Sequence, residues 1–126
     1  MNPLSKTGAT IVVFALVSYT VAVIAEQRRG RVTPSVLAFL TVGVLLDVTA
    51  TAFMILGSSK GAFTLHGALG YSSLAAMIVD TLLIWRLARS AGPGAAVPRG
   101  LHVYTRVAYL WWVAAFITGG LLVAMR

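Results

Sequence analysis

The sequence predicts an all-α fold: an integral membrane four-helix bundle, running up-down-up-down, with both termini outside. Three observations point there. The chain has 126 residues of which 59% are hydrophobic and only 10% charged, with a mean hydropathy of +0.90. A soluble domain carries about 25% charged residues, so too little polar surface is present to coat a globule. The apolar residues fall into four runs, each close to the ~20 residues that cross a bilayer, and the cations gather between alternate runs.

The four runs predict helices over about residues 7–27, 34–57, 61–88 and 101–125, forming a single transmembrane domain over 1–126. The first run ends at Glu26-Gln27-Arg28-Arg29. A cleavable signal peptide is the rival reading, since Val23-x-Ala25 loosely fits a cleavage site. The apolar part is too long and its basic residues follow rather than precede it, which favours a retained helix. The second run opens with Thr33-Pro34, where proline in a first turn forfeits no hydrogen bond, and stops at Gly57-Ser58-Ser59-Lys60-Gly61. A loop of small residues and proline, Ser90 to Pro98, separates the third run from the fourth.

Arginine placement predicts orientation. The first loop holds Arg28, Arg29 and Arg31, and the third holds Arg89 and Arg99 with Arg86 at its edge. The second loop holds only Lys60, and the tails only Lys6 and Arg126. Loops one and three are therefore expected in the cytoplasm, in a multi-pass protein of the cell (inner) membrane. The net charge of +7 sits where it meets anionic headgroups rather than nucleic acid. The chain has no cysteine, which excludes disulfides, iron–sulfur clusters and thiolate metal sites.

Polar residues within the runs are the candidates for function, because each is costly in hydrocarbon unless it finds a partner. Spacings of three and four put residues on one helix face. Such stripes are Gly8, Ala15, Ser18, Ala22 and Glu26 in the first run, and Gly43, Asp47, Thr51 and Met54 in the second. The third has His66, Gly70, Ser73, Met77 and Asp80; the fourth has His102, Arg106, Tyr109, Val113, Phe116 and Gly120. The plain reading of the small residues is close helix packing. Asp47 lies ~20 Å into its helix, near the midplane, where an ionised carboxylate costs roughly 2.5–3.5 kcal/mol. It is either functional or a helix–helix hydrogen-bonding group. Asp80 and Arg106 stand at similar depth on successive helices and are expected to form an ion pair.

The two histidines open different helices at opposite membrane surfaces, so they stand on the order of 25–30 Å apart. One haem iron needs its axial ligands only about 4 Å apart, so His66 and His102 cannot clamp one haem. His66 is the candidate iron ligand, with Met54 as second ligand and Gly67 and Gly70 leaving room for a flat ring. The alternatives are a capping or interfacial His66 and a headgroup-facing His102.

The segments Asp47-Val48-Thr49-Ala50-Thr51, His66-Gly67-Ala68-Leu69-Gly70-Tyr71 and Leu101-His102-Val103-Tyr104-Thr105-Arg106, with Trp111-Trp112 following, resemble a group of small four-helix bacterial membrane proteins. That resemblance covers the second to fourth runs and implies a link to haem handling or haem stress, with haem b as the candidate cofactor. The H-x-x-x-G element is also distantly similar to transmembrane b-type cytochromes. Those hold two haems with histidine pairs, and the second pair is missing here.

No catalytic constellation is present: neither H-E-x-x-H nor a phosphate-cradling glycine loop nor a Ser–His–Asp set. An enzyme is not expected. Three roles remain: a haem-binding or redox-linked membrane module, a small transporter or proton-conducting bundle acting as an oligomer, and an accessory subunit of a larger membrane complex.

Overall fold

The computed structural model describes residues 3–56, 65–92 and 94–124. These form four helices: α1 (Pro3–Arg29), α2 (Pro34–Leu56), α3 (Leu65–Ala91) and α4 (Arg99–Ala124). No strand occurs among the described residues. The segments Lys6–Arg29, Pro34–Leu56 and Gly67–Ala91 are long and apolar enough to cross a membrane, which marks the chain as a membrane protein.

The helix ends follow from local chemistry. Gly30 closes α1 at φ +62°, with its N–H donating to Glu26 O at 2.7 Å. Gly92 closes α3 at φ +88° with a bond to Ala88 O. Glycine adopts this left-handed cap without the steric cost of a Cβ. Thr33 caps α2: its hydroxyl accepts the Val36 N–H at 3.3 Å, and Pro34 follows at the first helical position.

The two short loops at this end are bonded to each other. Val32 N donates to Ala95 O at 2.9 Å, Val97 N to Gly30 O at 2.7 Å and Gly94 N to Val32 O at 2.6 Å. This makes Arg31 and Ala96 an isolated antiparallel pair and satisfies loop backbone groups that would otherwise lack protein partners. Arg28, Arg29, Arg31, Arg89 and Arg99 surround it, all exposed.

The helices form a ring in chain order. α1 packs most closely along α2 and α3 along α4, with α2–α3 and α1–α4 seams closing the circle. The α1–α2 contact is close because of two glycines. A Cβ on Gly8 would lie 2.9 Å from Met54 Cγ and 3.0 Å from Ala50 O. At Gly43 it would lie 2.5 Å from Tyr19 Cε1 and closer still to Cδ1, so the edge of that ring sits against the α2 backbone. Small residues permit such approaches in membrane helices, where hydrophobic collapse contributes little.

The polarity of the bundle is inverted relative to a soluble protein. Phe14 and Val17 of α1, Leu45 of α2, Leu82 of α3 and Val107 and Leu110 of α4 are each more than half exposed. Buried among Ala15, Tyr19, Ala22, Leu40, Met77 and Trp112 are Ser18, Glu26, Asp47, Ser73, Asp80, Thr81 and Thr105. Such a surface is stable against lipid tails and not against water.

Candidate functional site

All three acidic residues of the chain are buried in the bundle: Glu26 and Asp80 are 0% exposed and Asp47 is 4% exposed. Each reaches a partner on another helix. Together they form a polar column that starts at the arginine-rich end.

At its mouth Glu26 of α1 meets His102 of α4, with Oε2 and Nδ1 2.6 Å apart. Gln27 ties this pair together. Its amide nitrogen donates to Glu26 Oε1 at 2.6 Å and to His102 O at 2.9 Å, while its oxygen accepts the Arg106 Nε–H at 2.9 Å. His102 is thus not the headgroup-facing residue the sequence suggested. Its side chain is 25% exposed, mostly within the bundle with one edge at the surface.

One turn further in, the Thr105 hydroxyl donates to Asp80 Oδ1 at 2.5 Å. Asp80 Oδ2 is buried and has no hydrogen-bond partner, so this carboxyl can engage one more donor. The expected Asp80–Arg106 ion pair does not form. The inward face of α4 is Thr105, Ala108, Trp112 and Ala115, rotated by about 100°, one residue, from the expected stripe. That rotation turns Arg106 outward, where it is exposed. A neutral hydroxyl costs less to bury than a guanidinium, and it is the hydroxyl that faces Asp80.

Deeper still, Asp47 Oδ2 accepts both the Trp112 indole N–H at 2.7 Å and the Tyr19 hydroxyl at 3.0 Å. Tyr19 and Trp112 meet edge to face with centroids 5.0 Å apart. Tyr19 thus links α1 to the Asp47 site through its hydroxyl and its ring. Tyr109 stands beside the column, its hydroxyl 2.7 Å from that of Thr20. From His102 to Trp112 the column extends about 15 Å along α4.

The haem candidates lie elsewhere. The His66 backbone is in the first turn of α3, at the opposite end from His102, and its side chain lies outside the described residues. Met54 is turned onto Gly8 of α1. Gly70 is half-buried and a Cβ there would meet nothing within 4 Å. Among the described residues Asp47, Asp80 and His102 each meet a partner on another helix and Arg106 stays at the rim on Gln27, whereas the reading of His66 as a ligand falls on a side chain outside the described residues. Sequence reading missed Tyr19, Gln27, Thr105 and Trp112 as partners, and it placed Glu26 on the correct stripe without giving it a partner. A signal was present: all three carboxylates lie within the predicted helices, and each requires a donor.

No family model, curated protein or solved structure matches this chain.

Proposed function

We propose that this chain is a four-span protein of a cell (inner) membrane whose buried acidic column carries protons, working as an oligomer. The observation that carries the reading is the burial of all three acidic side chains, each hydrogen-bonded to a group from another helix. Helix association alone does not need acids. Elsewhere in this bundle neutral groups serve, as where Ser18 donates to Phe39 O at 2.6 Å and Tyr104 to Ala76 O at 2.8 Å. A carboxylate placed in hydrocarbon costs roughly 2.5–3.5 kcal/mol, and what it offers over a hydroxyl is exchange of a proton. Glu26 with the partly exposed His102 forms the entrance, and Asp80 and Asp47 follow.

In this reading the arginine-rich end is cytoplasmic, by the preference of basic loops for that side, and both termini are outside. α4 crosses the membrane with the other three, a placement supported by the exposure of Val107, Leu110 and Ile117 on its outer face. Four helices enclose only part of a pathway, so a dimer completes it.

The test is proton flux in liposomes of purified protein carrying a trapped pH indicator, compared with protein-free liposomes. A second reading, haem b held through His66, is favoured by the open face at Gly70. A visible spectrum tests it: haem gives a Soret band that shifts on reduction. Silence in both assays with stable co-purification of other subunits supports an accessory role instead.

A further inference from the structure

We propose that the ridge formed by Arg86, Arg89 and Ser90 on α3 is a binding site for one anionic phospholipid. Two apolar grooves meet at this ridge. The first, about 400 Å³, runs between α3 and α4 along Leu83, Leu87, Leu101 and Tyr104 and is bordered by Arg86 and Ser90. The second, about 470 Å³, passes Leu82 and Trp85 on the outer face of α3 and is bordered by Arg86, Arg89 and Ser90. Arg86 and Ser90 thus belong to both. A ligand with one negative head and two apolar tails matches that shape.

Charge selects the head. Arg86 and Arg89 are one turn apart and exposed, and neither has a hydrogen bond or ion pair among the described residues. None of the three acidic side chains serves them. Glu26 is held by His102, Asp80 faces Thr105 and Asp47 faces Tyr19 and Trp112. The counter-ion must come from outside, and at this depth the anion at hand is a lipid phosphate. A guanidinium binds phosphate through a planar fork of donors. Ser90, whose hydroxyl otherwise makes only a long 3.3 Å bond to Leu87 O, stands ready as a third donor. Trp85 is already fixed by a 2.9 Å bond from its indole N–H to Thr41 Oγ1, so its ring forms a stiff wall for a chain. The site lies on the outer face, apart from the acidic column.

Native mass spectrometry of delipidated protein in detergent, titrated with phosphatidylglycerol or phosphatidylcholine, tests this. One phosphatidylglycerol should be retained per chain in preference to phosphatidylcholine. The double substitution Arg86→Gln/Arg89→Gln should weaken that retention roughly thirtyfold. Arg28→Gln/Arg29→Gln, which lowers the charge of the same end equally, should leave it unchanged. Excess inorganic phosphate should not displace the lipid, because it offers nothing to the grooves. Equal retention of phosphatidylcholine, equal loss in the Arg28/Arg29 variant, or displacement by phosphate would each overturn the site. Because all four arginines are exposed, helical content by circular dichroism should be the same in every variant.

Discussion

Trp112 of α4 donates its indole N–H to Asp47 of α2 at 2.7 Å, across the diagonal of the bundle. The same oxygen accepts the Tyr19 hydroxyl, so one carboxylate joins three helices about midway along α2. Trp112→Phe keeps most of the ring packing and removes the donor. It should cost about 1–3 kcal/mol, the penalty for leaving a buried polar group short of a partner. Trp111→Phe, which removes an exposed bond to Ser72, should cost clearly less. Denaturant unfolding in micelles measures both; equal losses would remove the diagonal bond from the account.

Gly43 and Gly70 should respond to alanine in opposite directions. A Cβ at Gly43 collides with the Tyr19 ring, and both neighbours are fixed, Tyr19 by Asp47 and Gly43 by its own helix. Overpacking of this kind costs about 1–3 kcal/mol. At Gly70 the space is open, so Gly70→Ala should be neutral or stabilise by up to about 1 kcal/mol through helix propensity. The same unfolding assay checks the pair.

Much of this arrangement was legible in the sequence, and the remainder has identifiable causes. Helix positions follow from run length, the Glu26–Arg29 stop and Pro34, because those signals are local. The inward stripe of α1 was also readable: Gly8, Ala15, Ser18, Ala22 and Glu26 are all buried, since a row of small residues has only one use on such a helix. The stripe of α4 was not. Its two faces offer polar groups of similar number, His102, Arg106 and Tyr109 on one and Thr105 and Trp112 on the other. What decides between them is the cost of burying a guanidinium and the need of Asp47 and Asp80 for donors. That need is a tertiary fact, visible once Asp47 and Trp112 are brought together from 65 residues apart.

Asp80 and Arg106 should behave independently. In a double-mutant cycle, Asp80→Asn and Arg106→Gln should add within about 0.5 kcal/mol. Asp80→Asn and Thr105→Val should deviate from additivity by about 0.5–3 kcal/mol, because they share a hydrogen bond. A strong interaction in the first cycle would restore the ion pair.

The contact between loops is open to a covalent test, since the chain contains no native cysteine. Arg31 and Ala96 form an antiparallel pair flanked by the bonds Val32 N to Ala95 O and Val97 N to Gly30 O. That is the narrow, non-hydrogen-bonded type with Cα atoms about 4.5 Å apart, within disulfide range. The variant Arg31→Cys/Ala96→Cys should oxidise to an intramolecular disulfide under mild conditions. After cleavage at a protease site placed in the α2–α3 connection, the halves should separate only on reduction. Failure to form the crosslink would mean that the two loops do not meet.

The central claim is that the buried carboxyls carry protons, and flux in proteoliposomes tests it most directly. With a pH gradient imposed and a potassium–valinomycin clamp holding the membrane potential, the wild-type protein should move protons faster than protein-free liposomes do. Asp47→Asn and Asp80→Asn should fall to the protein-free level while retaining wild-type helical content, and Arg28→Gln should conduct as wild type does. Wild-type flux no greater than that of empty liposomes, or undiminished flux in both Asp variants, would contradict the account.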